Sequence, residues 1–324
     1  MYGDRVKVLG NEILIGSVSI AFILALSTYI VTDLRPVPGE YGICLPSPNQ
    51  WHIPSFLSWL LAVLVIVGTA FMQALTNKKY NLISTTEPLL PVVFVSLITC
   101  NTIVTDHIGT PVIMMAVNAL CLYILFETYE KFNSTQEYFL LATFLSFGSM
   151  IEYSFLVMIP VYVVGGILMK SFKLREVIAF LFGLLAPYWI LTGFGVIEIN
   201  SFRLPASTAL SLQLELNPSL FISLISVGVA GVVALVTSLY NSYSLLNGNA
   251  KLRSMHLAIN IMGYICLIFM IGDYNNILAY SGTVYLWCAL EGVALFTSNP
   301  GRSGLIWLLS FYLCFLVLYF IMLQ

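Results

Sequence analysis

Charge is what this sequence lacks most. Lys, Arg, Asp and Glu make up 9% of its 324 residues, against about 25% in an ordinary soluble domain. That excludes a water-facing surface over most of the chain. The basic residues form no stretch dense enough to track nucleic acid. Histidine is scarce, with three in all, and no HExxH helix is present. There is no CxxC pair, no Gly-rich nucleotide loop and no Ser-His-Asp order, so soluble-type enzyme chemistry is excluded. No metal and no cofactor are expected, because a metal site needs three or four convergent ligands. Long polar segments are absent too: the longest connection is Asp33 to Pro54. No clear internal repeat is visible, which weighs against an inverted-repeat transporter.

What is present is apolar. Hydrophobic residues are 59% of the chain, and runs of 18 or more such residues signal membrane-spanning helices. The fold class expected is all-α: a polytopic transmembrane bundle forming one domain over 1–324. The runs are Ile13–Val31, Ser55–Ala74, Pro88–Val104, Pro111–Thr128, a long segment Tyr138–Lys170, Val177–Val196, Leu220–Tyr240, Met255–Ile271, Asn276–Thr297 and Leu305–Met322. The first is too long for a secretory signal core and lacks a clear cleavage site, so it reads as an uncleaved helix. Five of the six cysteines, Cys100, Cys121, Cys266, Cys288 and Cys314, lie in these runs, where Cys acts as a small hydrophobe. Cys44 stands alone in the first loop.

Tyr138–Lys170 decides the threading. Its 33 residues make about 50 Å of helix, too long for one crossing and short for two. A hairpin turning near Glu152-Tyr153 places 11 basic residues on one side, against Arg35 and Arg203 on the other. A single crossing gives 6 against 7. Basic residues concentrate on the cytoplasmic side, so the hairpin is expected. That makes 11 spans, with the N-terminus cytoplasmic and the C-terminus extracytoplasmic. Localisation in a bacterial inner membrane follows, with the lipid bilayer as partner.

Several cues recur together between residues 75 and 200. They are the Leu82-Ile83 after a basic loop, the Leu90-Pro91 opening the third run, the basic knot Lys170, Lys173 and Arg175 with Glu176, and the run from Gly183 to Trp189. In this the chain resembles an uncharacterised family of bacterial multi-pass inner-membrane proteins. Some members look distantly like the membrane halves of glycosyltransferases that use lipid-linked sugars. The likeness implies fold and location. Through its more distant part it implies a catalytic acid early in the first outer loop, where Asp33 and Glu40 stand, and a polyprenyl-linked substrate. There a carboxylate acts as general base on an acceptor hydroxyl. A plain polar turn with Pro36 and Pro38 explains the same residues.

Two carboxylates lie within apolar runs. Glu152 faces a partner or cavity, or the hairpin turn leaves it wet at the outer interface. Glu291 lies about 24 Å into its run; it serves a substrate or ion pathway, or bonds a Ser, Thr or Asn on a neighbouring helix. Intramembrane acids are costly and mark pathways. Pro187 removes a backbone hydrogen bond in its helix and is expected to kink it, serving packing or a cavity. Asp106-His107, with His52, reads as a polar turn before a metal or proton site; His256 reads as interfacial. Three functions stay open: extracytoplasmic transfer from a polyprenyl-linked substrate, transport or lipid flipping through Glu152 and Glu291, and non-catalytic assembly. A cavity touching Glu152 or Glu291 favours transport.

Overall fold

The computed structural model describes residues 23–26, 28–30, 42–83, 89–202, 218–244, 249–298 and 302–322. Every regular element among them is helical. The helices are α1 Ser55–Tyr80, α2 Leu89–Thr99, α3 Thr102–Thr105, α4 Thr110–Glu127, α5 Thr135–Ile151, α6 Met158–Leu168, α7 Leu174–Gly193, α8 Pro218–Ser244, α9 Ala250–Gly272, α10 Ser281–Ser298 and α11 Arg302–Met322. Residues 23–26 and 28–30 of the first apolar run are also helical.

Six stretches are long and apolar enough to cross a membrane: Ser55–Tyr80, Thr110–Glu127, Leu174–Gly193, Leu220–Tyr243, Ala250–Gly272 and Asn276–Ala294. The third run and the Tyr138–Lys170 segment fall short for identifiable reasons. Helices α2 and α6 have 11 residues each, about 16 Å, half of a ~30 Å hydrocarbon core. The third run breaks at Asn101, whose backbone is extended at φ −104°, ψ 102°. Its side chain there donates to Tyr285 Oη at 2.9 Å and accepts from Ser223 Oγ at 2.9 Å. Glu152 breaks the hairpin in the same way, extended at φ −151°, ψ 123°. Pro160 breaks nothing, because it falls in the first turn of α6, where its missing N–H has no helical partner to lose.

Helix α10 is the axis of the bundle. Six successive residues, Val284 to Ala289, are fully buried. A helix enclosed on every side must satisfy its polar groups through its neighbours. Four asparagines from four different elements do so. Asn118 of α4 donates to Thr283 Oγ1 at 2.9 Å. Asn101 bonds Tyr285, as above. Asn260 of α9 accepts from Trp287 Nε1 at 2.9 Å. Asn241 of α8 donates to Glu291 Oε2 at 2.7 Å. Such bonds contribute on average about 0.6 kcal/mol each between membrane helices. Gly282 lets α4 approach so closely that a β-carbon there would collide with the Pro111 carbonyl.

The chain leaves and returns between α4 and α7. The backbone N–H of Glu130 donates to Met169 O at 2.9 Å, and Lys170 reaches the Glu130 carboxylate at 2.8 Å. The basic ends gather here: Lys79 pairs with Glu127 at 3.3 Å, and the Lys251 ammonium lies 5.5 Å from the Tyr80 ring centre. At the far end the hairpin turn is covered. Residues 42–45 cross the last carbonyls of α5, with Leu45 N–H donating to Met150 O at 2.9 Å. Tyr153 Oη donates to Asp273 Oδ1 at 3.0 Å.

Helix α7 lies against α5. Its buried residues Glu176, Phe180, Gly183 and Pro187 form one stripe at helical spacing. Leu181, Phe182, Leu185 and Trp189 face outward, each more than half exposed, as expected for a helix bathed in lipid. Pro187 leaves the Gly183 carbonyl without its helical donor. Thr143 of α5 meets that carbonyl at 3.4 Å, and Ser146 Oγ donates to the next, Leu184 O, at 2.7 Å. The helix runs on through its proline; Ser146 of α5 donates one residue further along, while the Thr143 hydroxyl proton goes chiefly to Phe139 O of its own helix at 2.8 Å. Gly183 is required for the approach: a β-carbon there would strike the Phe139 carbonyl.

Candidate functional site: a buried acid–imidazole pair

Glu291 and His256 face one another inside the bundle, 0% and 4% exposed. His256 Nδ1 lies 3.1 Å from Glu291 Oε1. The other ring nitrogen, Nε2, is 3.2 Å from the carbonyl of Leu82. A carbonyl only accepts, so Nε2 carries a hydrogen and donates to Leu82 O. Asn241 Nδ2 donates both to Glu291 Oε2 and, at 2.9 Å, to the Glu291 backbone carbonyl.

Each member is placed by its local structure. Helix α1 ends at Asn81, in the left-handed region at φ 53°, and Asn favours that cap. Asn77 Oδ1 then takes the Ile83 N–H at 2.9 Å. That turn and that bond fix the Leu82–Ile83 peptide, whose carbonyl meets His256. His256 sits in the second turn of α9, and Glu291 one turn beyond Trp287 on α10. Both helices contain candidate membrane spans.

This arrangement fixes one proton between two bases. With Nε2–H engaged by Leu82, the Nδ1–Oε1 contact is either a carboxylic acid donating to neutral imidazole or an imidazolium donating to carboxylate. The two states differ by one proton shift across a single hydrogen bond. The surroundings serve both, because Asn241 donates to Oε2 in either. A buried charge without such partners would be prohibitive.

A cavity of about 20 Å³ lies nearby, lined by neither Glu291 nor His256. Its walls include Leu82, Ile259 (one turn from His256), Leu290 (next to Glu291) and Gln73 of α1.

The other candidates lie apart. Glu152 is 1% exposed, so the protein covers it at the hairpin turn. Its neighbour Tyr153 bonds Asp273, the residue directly after α9, whereas Glu291 stands ten residues into α10, about 15 Å along the axis. Pro187 belongs to the α5–α7 seam. Asp33 and Glu40 lie outside the described residues. Asp106 and His107 bond each other, His52 is exposed, and no group of three metal-ligating side chains occurs among the described residues. All six cysteines are free.

The sequence marked Glu291 as an acid in an apolar run, and Asn241 of α8 supplies the neighbouring-helix bond that was one of its two readings, without having been singled out; His256 was missed. His256 follows Lys251 and Arg253, which suggested a headgroup-level residue. Asn241 follows Tyr240, which suggested the start of a loop. The signal that could have found them is asparagine within or at the edge of apolar runs, as also at Asn101, Asn118 and Asn260. No protein-family model, curated protein or solved structure matches the chain.

Proposed function

We propose that the protein is a multi-pass carrier of a bacterial inner membrane, in which proton transfer at Glu291–His256 drives the movement of a polar solute through the helical bundle. The observation that carries this is the pair itself: an acid and an imidazole, buried together on two candidate spans, sharing one hydrogen bond. Intramembrane acids and histidines of this kind mark proton relays.

The gathering of Lys79, Lys131, Lys170, Lys173 and Lys251 near the ends of α1, α4 and α6 and the start of α9 supports a cytoplasmic placement of that end. With it go 11 spans, a cytoplasmic N-terminus and an extracytoplasmic C-terminus. The likeness to uncharacterised bacterial inner-membrane proteins is kept as part of this proposal. The polyprenyl-transfer reading rests on Asp33 and Glu40, and no described residue supports it.

The test uses purified protein in liposomes holding a trapped pH dye. A panel of amino acids, sugars and nucleosides is added outside under an imposed pH gradient. At least one solute should accelerate proton movement in wild type and in no Glu291→Gln vesicles. If every solute leaves wild type and E291Q indistinguishable, the carrier proposal is wrong.

A further inference from the structure

His256 meets an oxygen at each ring nitrogen. Glu291 Oε1 stands at Nδ1 and the Leu82 carbonyl at Nε2. Each of those two gaps needs a hydrogen in it. The shared proton fills one and the Nε2 hydrogen fills the other. Take one proton away and one gap fails. With the remaining hydrogen on Nε2, the Nδ1 lone pair faces a carboxylate oxygen at 3.1 Å. With it on Nδ1, the Nε2 lone pair faces Leu82 O at 3.2 Å. Buried acceptors set face to face are costly.

Leu82 O supplies no hydrogen at any pH, and Asn77 holds the chain on both sides of it. The Asn77 backbone carbonyl takes the Asn81 N–H at 2.7 Å, and its side-chain oxygen takes the Ile83 N–H at 2.9 Å. Asn77, Leu82 and Ile83 are all buried. They lie beside Lys78, Lys79 and Tyr80, at the basic end of the bundle. Among the described residues, Glu291 is the charged group that acts on His256. The neighbouring elements bring neutral or engaged groups: Asn241 from α8, Asn77 from α1, Glu127 of α4 paired with Lys79, and Lys251 of α9 over the Tyr80 and Tyr129 rings.

We infer that the connector 81–83 is a lock on the Glu291–His256 pair, with Asn77 as its positioning residue. While the Leu82 carbonyl stands against Nε2, the pair keeps its proton. Release waits until that carbonyl withdraws and water takes its place, because water can donate to a bare Nε2 and a carbonyl cannot. Glu291 Oε1 then gives its proton to Nδ1, and Nε2 passes its own to water. A hydronium ion departs toward the basic end, leaving a carboxylate that accepts from Nδ1–H and, as before, from Asn241. That role in transport rests on the carrier proposal; the closure itself does not.

The experiment is nitrogen NMR of histidine-labelled protein, wild type and Asn77→Ala, with the His256 signals identified by their loss in His256→Gln. At a pH of about 9, above the ordinary histidine range, wild type should keep its hydrogen on Nε2. Bare Nε2 should be about tenfold more populated in N77A, as expected when a buried acceptor no longer opposes it. Asn77→Asp retains an oxygen for the Ile83 N–H and should stay closer to wild type than to N77A. Should N77A not fold, Asn77→Thr takes its place, since it keeps volume and polarity but falls short of Ile83. Bare Nε2 as the main form in wild type, or equal populations in wild type and the variant, overturns the inference. Proton leak through vesicles without solute is the second reading. It should rise in N77A and return to the wild-type level in N77A combined with E291Q. A leak that fails to rise while the NMR shifts as expected counts against the carrier proposal and leaves the lock standing.

Discussion

Replacing Glu291 separates a shared proton from a fixed ion pair. Glu291→Gln is close to isosteric. Its carbonyl oxygen can accept from Asn241 and its amide can donate to His256 Nδ1. That is the bonding of the neutral state, with Nε2–H still on Leu82 O. Every partner seen in the structure is kept, so stability should change by less than about 1 kcal/mol. Glu291→Leu fills similar space with no polar atom. Asn241 Nδ2 loses its carboxylate acceptor, and His256 Nδ1 loses its Glu291 partner. Two buried groups at about 1–3 kcal/mol each give about 2–6 kcal/mol of loss. The gain from burying leucine offsets about 1–2 kcal/mol of that, leaving about 0–5 kcal/mol. Thermal unfolding in detergent, followed by a thiol-reactive dye at the buried cysteines, reads both variants. If E291Q falls as far as E291L, the network demands an ionised carboxylate, and the shared-proton reasoning is refuted.

Gly183→Ala should destabilise despite its better helix propensity. It gains about 1 kcal/mol of propensity but forces α5 and α7 apart at about 1–3 kcal/mol, with further loss from the Thr143, Ser146 and Ser149–Tyr188 bonds; an unchanged Tm would show that the seam yields freely. Asp106, in the turn before α4, has its carboxyl pKa raised by burial, with His107 opposing. A raised folded-state pKa favours the fold below the unfolded value and costs stability as pH climbs through the folded one. Asp106→Asn should therefore gain on wild type as pH rises above about 4, and a Tm difference independent of pH would contradict this. For threading, a periplasm-active reporter should work when fused after Glu198 and fail after Lys173; activity at Lys173 would invert the proposed orientation.

Much of the helix layout was legible because apolar runs in a charge-poor chain have few alternatives. The ends of α4 and α9 fall within a few residues of where Thr128 and Ile271 placed them. What the runs could not show was interruption. Asn101 looks like a single polar residue in apolar text, yet it breaks its run, with bonding partners on α8 and α10 that are distant in sequence. The break at Glu152, by contrast, falls where the length of Tyr138–Lys170 and the basic residues had put it. Pro187 stands in a helix that runs on from Leu174 to Gly193, and the Ser146 hydroxyl, 38 positions before Leu184, donates to the carbonyl beside the gap. The site divided similarly. An acid in lipid is conspicuous alone, whereas His256 and Asn241 acquire meaning only when α8, α9 and α10 are side by side.

The short α6 has a consequence for the order of synthesis. Its fully buried residues Met158 and Tyr162 belong to a helix of 11 residues that packs on α9. Residues 250–272 leave the ribosome roughly a hundred positions later, some 5–20 s at ordinary elongation rates. For that interval α6 is too short to hold itself across a bilayer, and its later neighbour does not yet exist. One polar contact already can. Tyr162 Oη donates to Asn118 Oδ1 at 2.9 Å, and α4 is complete before α6 begins. That bond is the pin that keeps a nascent half-span docked until the rest of the chain arrives to enclose it.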